Sequence, residues 1–235
     1  MLIHGESGAG KSRLADTVPA PRLILDAEGR AKYLPSGPKV YWNPLREAPP
    51  AYDGSWETCI VMVTDFNTLK SVFTWLRSGQ HQFRSVVVDS LMEAQKRCID
   101  AIAGVNIMKT QDWGTLLREL EGLMRDYRDL VLVPSTNVQC VVFTCGTRNQ
   151  EGVMRPLVQG QLALTAPYFM DTVGYLYVQH TEGGGIVRNL LVSQMPGFVA
   201  KDGTDRLPGP VIENPNISEL FHLLNGHDTT KEEQQ

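Results

Sequence analysis

The chain has 235 residues, of which 42% are hydrophobic and 20% charged, with a formal net charge of −4. This length allows one sizeable core, and the composition is that of an ordinary soluble globule. The acidic balance excludes general electrostatic attraction to nucleic acid, leaving any such binding to local basic loops repeated in an oligomer.

In chain order, short apolar runs alternate with amphipathic stretches, which predicts a parallel sheet covered by helices. A strand over 2–4 runs into "GESGAGKS", and a helix is predicted over 11–17. The loop matches G-x-x-x-x-G-K-[ST] at Gly5, Gly10, Lys11 and Ser12. Such a loop turns its backbone N–H groups inward around phosphates. Gly5, Glu6, Ser7, Gly8, Ala9, Gly10, Lys11 and Ser12 are therefore the candidate phosphate-binding residues. Lys11 would reach the β- and γ-phosphates of a nucleoside triphosphate, and the Ser12 hydroxyl would ligate Mg²⁺. Only four residues precede Gly5, so the first strand is short, and the sequence leaves open whether Met1 is the natural start.

The next strand, 23–26, ends in Asp26-Ala27-Glu28 at the strand edge where ligands of open α/β sheets collect. If it neighbours the strand of the metal carboxylate, Glu28 is placed to orient a water toward the γ-phosphate. Asp26 is equally suited to capping the turn. Strands over 40–42 and 59–63 follow, then a helix over 65–77 with Asp65 as N-cap. The run "SVVVDS" makes a buried strand over 85–89 that places Asp89 where Mg²⁺ would be held; capping of the helix over 90–103 is the alternative. Ser90 follows directly, so this chain lacks the adjacent glutamate of many motor ATPases.

A helix over 114–130 carries the stripe Leu116, Leu120, Leu123 and Tyr127, and a strand over 138–144 follows. Beyond Pro167, "DTVGYLYVQH" and "GIVRNLLVSQ" flank "TEGGG" and predict an antiparallel hairpin extending the sheet. A Pro- and Gly-rich stretch leads to a short helix, Ile217–Leu224. One domain is expected over 1–224, with 225–235 a disordered polar tail. Cys59, Cys98, Cys140 and Cys145 show no CxxC spacing or paired histidines, so reduced core cysteines are expected. With no bilayer-length apolar run and no signal-peptide pattern, a cytoplasmic protein without membrane contact is expected.

The ordered set "GESGAGKS", "LILDAEGR" and "SVVVDS" resembles the RecA-type ATPase core. The chain as a whole is similar to the compact phage ATPases of the Sak-type single-strand annealing group. "DWG" at 112–114, "MDTVGYLYV" at 170–178 and "AKDGTDRLPG" at 200–209 carry that likeness. The resemblance implies an α/β fold, a RecA-like P-loop NTPase with a mostly parallel sheet flanked by helices and a C-terminal antiparallel hairpin. It implies a Mg²⁺-dependent ATPase in which Glu28 is the catalytic carboxylate, with the host cytoplasm as its location. It also implies single-stranded DNA as partner, a homo-oligomeric ring or filament, and contact with a phage single-strand binding protein.

Two departures stand out. The polar sensor expected at the end of the strand after Asp89 falls here on Thr144 and Cys145, of which Thr144 still suits a phosphate or its water. The family's cationic stretch reads "KDGTDRLP", with Gly203 in place of an arginine; Lys201 and Arg206 remain as cations able to act across an oligomer interface. The two segments matching DNA-binding loops, "GVNIMKTQDWG" and "GTRNQEGVMRPLVQGQ", offer Lys109, Arg148 and Arg155. Trp113 is expected in the core. Two other readings stay open: a small-molecule P-loop kinase, for which Arg148 and Arg155 are the nearest arginines to a lid, and a non-hydrolysing nucleotide-dependent loader in which Glu28 is structural.

Overall fold

Alternating side chains decide the layers. Leu23, Leu25, Val86, Val88, Val141 and Phe143 point to one face of the central strands, and Ile24, Val87 and Val142 point to the other. Both faces are apolar, so both need covering helices, and the computed structural model, which describes residues 1–226, shows both covered.

Strand β1 (Leu2–Gly5) runs into the glycine loop and α1 (Lys11–Ala15). β2 (Arg22–Asp26), β3 (Lys39–Tyr41), β4 (Thr58–Met62), α2 (Phe66–Arg77), β5 (Ser85–Asp89), α3 (Leu91–Ala103) and α4 (Thr110–Asp129) follow. β6 (Cys140–Cys145) then leads into β7 (Thr147–Gln150), β8 (Val153–Pro156) and α5 (Leu162–Thr165). The C-terminal part contributes β9 (Thr172–His180), β10 (Ile186–Leu191), β11 (Lys201–Asp202), β12 (Val211–Glu213) and α6 (Ile217–Leu224).

The main sheet has the order β12-β10-β9-β1-β6-β5-β2-β4-β3, with β11 also paired to β9. From β9 to β3 every pair is parallel, while β10, β11 and β12 add antiparallel. The expected fold class and the expected hairpin, β9 with β10, are both present. For the site, two neighbour relations matter. β6 stands between β1 and β5, and β2 pairs with β5 in a register that puts Asp26 opposite Asp89.

On one face, α2, α3 and α4 supply Leu69, Leu76, Ala94, Leu120, Met124 and Tyr127. On the other, α1 and α6 supply Leu14, Ala15, Ile217 and Leu220. A fully buried leucine contributes about 1.5–3 kcal/mol, so packing rather than propensity holds a helix as short as α1. α6 is also tied to the turn after α1: the Ile217 N–H donates to Thr17 Oγ1 at 2.7 Å, and the Ser218 hydroxyl donates to the Thr17 carbonyl at 2.6 Å. Asp65 caps α2 as expected, accepting from the Thr68 N–H at 2.9 Å. All four cysteines are free and buried.

The structure differs from the expectations at several points. α4 begins at Thr110 rather than 114, because Asp112 turns back to accept from the Lys109 N–H at 2.8 Å and carries the helix through Gly114. Trp113 is 43% exposed, not core, because burial along α4 starts only at Leu116. The strand expected over 138–144 starts at Cys140, where pairing with Ser85 begins. The segment around Arg148 and Arg155 is a two-stranded ribbon, β7 with β8, closed by a turn in which Glu151 and Gly152 both have positive φ. β11 and β12 lie in the Pro- and Gly-rich stretch, where no strand is predicted. Of the expected tail, Asn225 and Gly226 follow α6, and 227–235 lie outside the described residues. No described helix is long and apolar enough to cross a membrane.

Candidate nucleotide site

The loop between β1 and α1 has the backbone its glycines allow. Gly8 and Gly10 have φ of 83° and 100°, a region that side chains resist. Gly5 is required for a different reason: a Cβ there would lie 2.3 Å from the Leu176 carbonyl oxygen of β9. Lys11 folds back over the loop, its Nζ donating to the carbonyls of Gly5 at 3.0 Å and Glu6 at 2.8 Å. Burial lowers its pKa, partly offset by the negative charges of Glu28 and Asp89. Those carbonyl bonds are ones an ammonium can exchange for phosphate oxygens.

Glu6, Ser7, Gly8, Gly10, Lys11 and Ser12 line a cleft of ≈ 890 Å³, with Ala9 packed behind the loop. Ligand sites commonly occupy about 300–1,000 Å³, so a nucleotide fits. A smaller cavity of ≈ 240 Å³ lies at the other end of the sheet, beside Met1 and α6, and contains none of the acidic groups described below.

Asp89 enters the cleft from the end of β5 and is only 4% exposed. Burial raises its pKa, hydrogen bonds from the Thr144 and Ser12 hydroxyls act against that, and the nearby Glu28 and Asp26 charges raise it further. A buried carboxylate under this pressure, with a hydroxyl beside it, suits a hard divalent cation. Asp89 and Ser12 are therefore the residues that would hold Mg²⁺, with nucleotide oxygens and water completing its shell. Among the described residues there is no group of three or more histidine, cysteine or acidic side chains able to hold a metal by itself. The capping alternative for Asp89 is not what forms, since Ser90 is the N-cap of α3.

The Ser90 hydroxyl instead donates to Glu28 Oε1 at 2.8 Å. Glu28 sits on the turn after β2 and lines the cleft. That turn is held by Asp26, whose two carboxylate oxygens accept from the N–H groups of Glu28 (3.2 Å), Gly29 (2.7 Å), Arg30 (3.2 Å) and Ala31 (2.8 Å). Asp26 is thus the turn acid, and it fixes the segment that presents Glu28.

Thr144 is fully buried, and its hydroxyl donates to Asp89. It supports the Asp89 carboxylate and does not line the cleft as a phosphate sensor would. The hydroxyl that does line the cleft just beyond β6 belongs to Thr147, the first residue of β7, which the sequence reading missed. Thr147 Oγ1 donates to the Arg155 carbonyl at 3.1 Å and lies 3.2 Å from His4 Nδ1. Cys145 is a buried thiol with its pKa pushed up to about 12, donating to the Leu157 carbonyl at 3.4 Å.

The remaining candidates lie away from the cleft. Lys109 is exposed at the start of α4. Arg148 and Arg155 stand directly opposite each other across the β7–β8 ribbon. Lys201 Nζ donates to the Tyr168 carbonyl at 3.4 Å, and Arg206 Nη1 donates to the Leu224 carbonyl at 2.7 Å, closing the end of α6. Arg188 of β10, absent from the sequence-based candidates, does line the cleft. Its only signal in the sequence is a single cation within "GIVRNLLV".

With β6 standing between the loop strand and the Asp89 strand, and an acid arriving from β2, the molecule has a RecA-like P-loop fold, the architecture of a nucleotide-binding protein. The chain belongs to an AAA domain family, whose model matches residues 1–204. Among solved structures it is similar to a KaiC-like protein from the hyperthermophilic archaeon Pyrococcus horikoshii OT3. That match has 16% identity and a TM-score of 0.49, and it covers 91% of this chain and 88% of that one. No curated protein matches.

Proposed function

We propose that this chain is a Mg²⁺-dependent ATPase that acts on single-stranded DNA as an oligomer, in annealing or recombination. The observation that carries the hydrolytic part is the Ser90–Glu28 hydrogen bond beside Asp89. It holds a carboxylate at the cleft wall opposite the phosphate loop, where an attacking water would sit. In this reading the loop amides and Lys11 bind the β- and γ-phosphates of ATP. Ser12 and Asp89 hold Mg²⁺, which when bound neutralises charge on those phosphates. Glu28 accepts a proton from the water that attacks the γ-phosphorus, and ADP and inorganic phosphate leave.

Replacing the base isolates this claim. Glu28→Gln should lower kcat by roughly 10²-fold or more and leave ATP affinity within about threefold, as for loss of a general base. ATPase activity at the wild-type level would instead favour a nucleotide switch without hydrolysis.

For the DNA part, support comes from the resemblance to phage annealing ATPases and from the in-register Arg148 and Arg155. Two like charges directly opposite are unfavourable unless an anion lies between or near them. Neither arginine lines the nucleotide cleft, which argues against their use as a kinase lid. Repetition of this pair and of Lys109 around a homo-oligomer would give a salt-sensitive backbone track, while Lys201 or Arg206 would reach a neighbour's γ-phosphate. A labelled single strand should shift at low salt with ATP present, and Arg148→Ala with Arg155→Ala should weaken that shift. Absence of any shift at low salt, with or without nucleotide, removes the DNA part and leaves the ATPase part standing.

A further inference from the structure

Among the described cations, Arg188 stands where the sequence reading placed none. Apart from Asn189, β10 is apolar around it, and both backbone polar groups of Arg188 are bonded to Asn214. The Arg188 N–H donates to Asn214 Oδ1 at 3.2 Å, and the Asn214 N–H donates to the Arg188 carbonyl at 2.6 Å. The side chain crosses from the C-terminal hairpin to the phosphate loop and lies against Gly10, so closely that a Cβ there would be 2.6 Å from Arg188 Nε. A side chain at position 10 would push the guanidinium away from the loop.

Among the described residues, this guanidinium has no carboxylate partner within ion-pair distance, and its Nε is buried without a hydrogen-bond acceptor. Arg22, Arg97 and Arg148 also carry an unpartnered buried Nε, but none of them lines the cleft. An arginine that is half-buried, rigidly presented and unpaired beside a phosphate loop has its natural acceptor in an anion within that loop. The alternative of a purely structural stem does not account for the charge, since an apolar side chain of the same length would pack on Gly10 without leaving a buried donor unsatisfied.

We infer that Arg188 contacts the phosphate chain of the bound nucleotide in cis, clasping it against the loop from the β9–β10 hairpin. The inference rests on the reading of the loop as a nucleotide site. It differs from the trans-acting role of Lys201 and Arg206, because it needs no neighbouring subunit. It also gives the antiparallel extension a function: bound phosphate links β10 to the loop, so nucleotide occupancy is transmitted to the C-terminal strands.

The test uses the full chain with Mg²⁺, measuring affinity for a fluorescent ADP and its displacement by inorganic pyrophosphate. Arg188→Met keeps the apolar stem and removes the charge; Arg188→Lys keeps a charge without the planar fork. The expected result is that Arg188→Met weakens ADP and pyrophosphate by the same factor, about tenfold or more, as for loss of one charge-assisted contact. Arg188→Lys should fall between Met and wild type. Hydrogen exchange at 186–191 should slow on ADP binding in wild type and not in Arg188→Met, a change a merely structural arginine would not show. Melting of both variants without nucleotide checks that they are folded. Affinities within twofold of wild type, or a loss for ADP with pyrophosphate unaffected, would overturn the phosphate contact while leaving the loop reading intact. If wild type binds the two probes no better than Lys11→Ala does, the loop reading itself fails and the inference goes with it.

Discussion

The Ser90 hydroxyl donates to Glu28 Oε1 across the ends of β5 and β2, joining residues 62 positions apart in the chain. Ser90 occupies the place where many motor ATPases carry the acid itself, and here it holds an acid delivered by the neighbouring strand. The two strands are parallel and in register, with Asp26 opposite Asp89, so Ser90 and Glu28 meet without any long loop.

Removing that bond leaves the carboxylate in place but loosens its aim. Ser90→Ala should lower kcat roughly tenfold with KM within about twofold, since only positioning at the reacting water is lost. Ser90→Thr, which keeps the hydroxyl, should recover most of the rate. Steady-state ATPase measurements decide this, and an unchanged kcat in Ser90→Ala would show that Glu28 needs no such support.

Asp26 acts one step further back. Asp26→Ala leaves the N–H groups of Glu28, Gly29, Arg30 and Ala31 without their acceptor, and the last of these bonds is buried. Water can satisfy the exposed ones, so the expected destabilisation is about 1–3 kcal/mol. Denaturant unfolding measures it. The ATPase rate should fall together with stability, because the turn that carries Glu28 loses its anchor.

Gly5→Ala should be worse tolerated than its position in a loop motif suggests. The new methyl would lie 2.3 Å from the Leu176 carbonyl, within backbone that is itself paired in the sheet. Relieving such an overlap requires moving β1 from β9, at a cost of about 1–3 kcal/mol. A lowered melting temperature, in the absence of nucleotide, is the expected observation.

His4 makes stability depend on pH. Its ring is fully buried between β1, Thr147 and Val199, with Nε2 donating to the Val199 carbonyl at 2.7 Å. Burial is the main cause of a pKa lowered from 6.5 to about 4, and the Lys11 charge lowers it further. The unfolded chain therefore takes up a proton as pH falls through 6.5, while the folded chain stays neutral until about pH 4. Stability contributed by neutral His4 is full above pH 6.5 and is lost progressively between 6.5 and 4, by about 3 kcal/mol at most. His4→Gln, which keeps a donor for Val199 and does not titrate, should flatten that part of the unfolding curve against pH.

Much of the site is local and therefore legible in the residues. The glycine loop needs consecutive backbone conformations that only its own glycines permit, and Asp89 follows three valines that can only be a buried strand. Asp26 and Glu28 were also visible as strand-end acids. Their division of labour was not, because a turn acid and a cleft acid look alike until the backbone N–H groups around them are placed. Thr144 misled for a related reason: a hydroxyl at a strand end suits a phosphate equally well as it suits the neighbouring carboxylate. The β7–β8 ribbon was hidden because Glu151 and Gly152 form a two-residue turn with no Asn-Gly or Asp-Gly signal.

By itself, the sequence determined the phosphate loop, the buried parallel strands, the helix-covered class of the fold and the C-terminal hairpin, since each depends on periodicity or backbone freedom within a short segment. The tertiary structure alone decided the pairings that cross the chain: Ser90 with Glu28, Thr144 with Asp89, His4 with Val199, and Arg188 against Gly10. Those depend on strand order and register, which bring together residues whose spacing in the chain carries no trace of their contact.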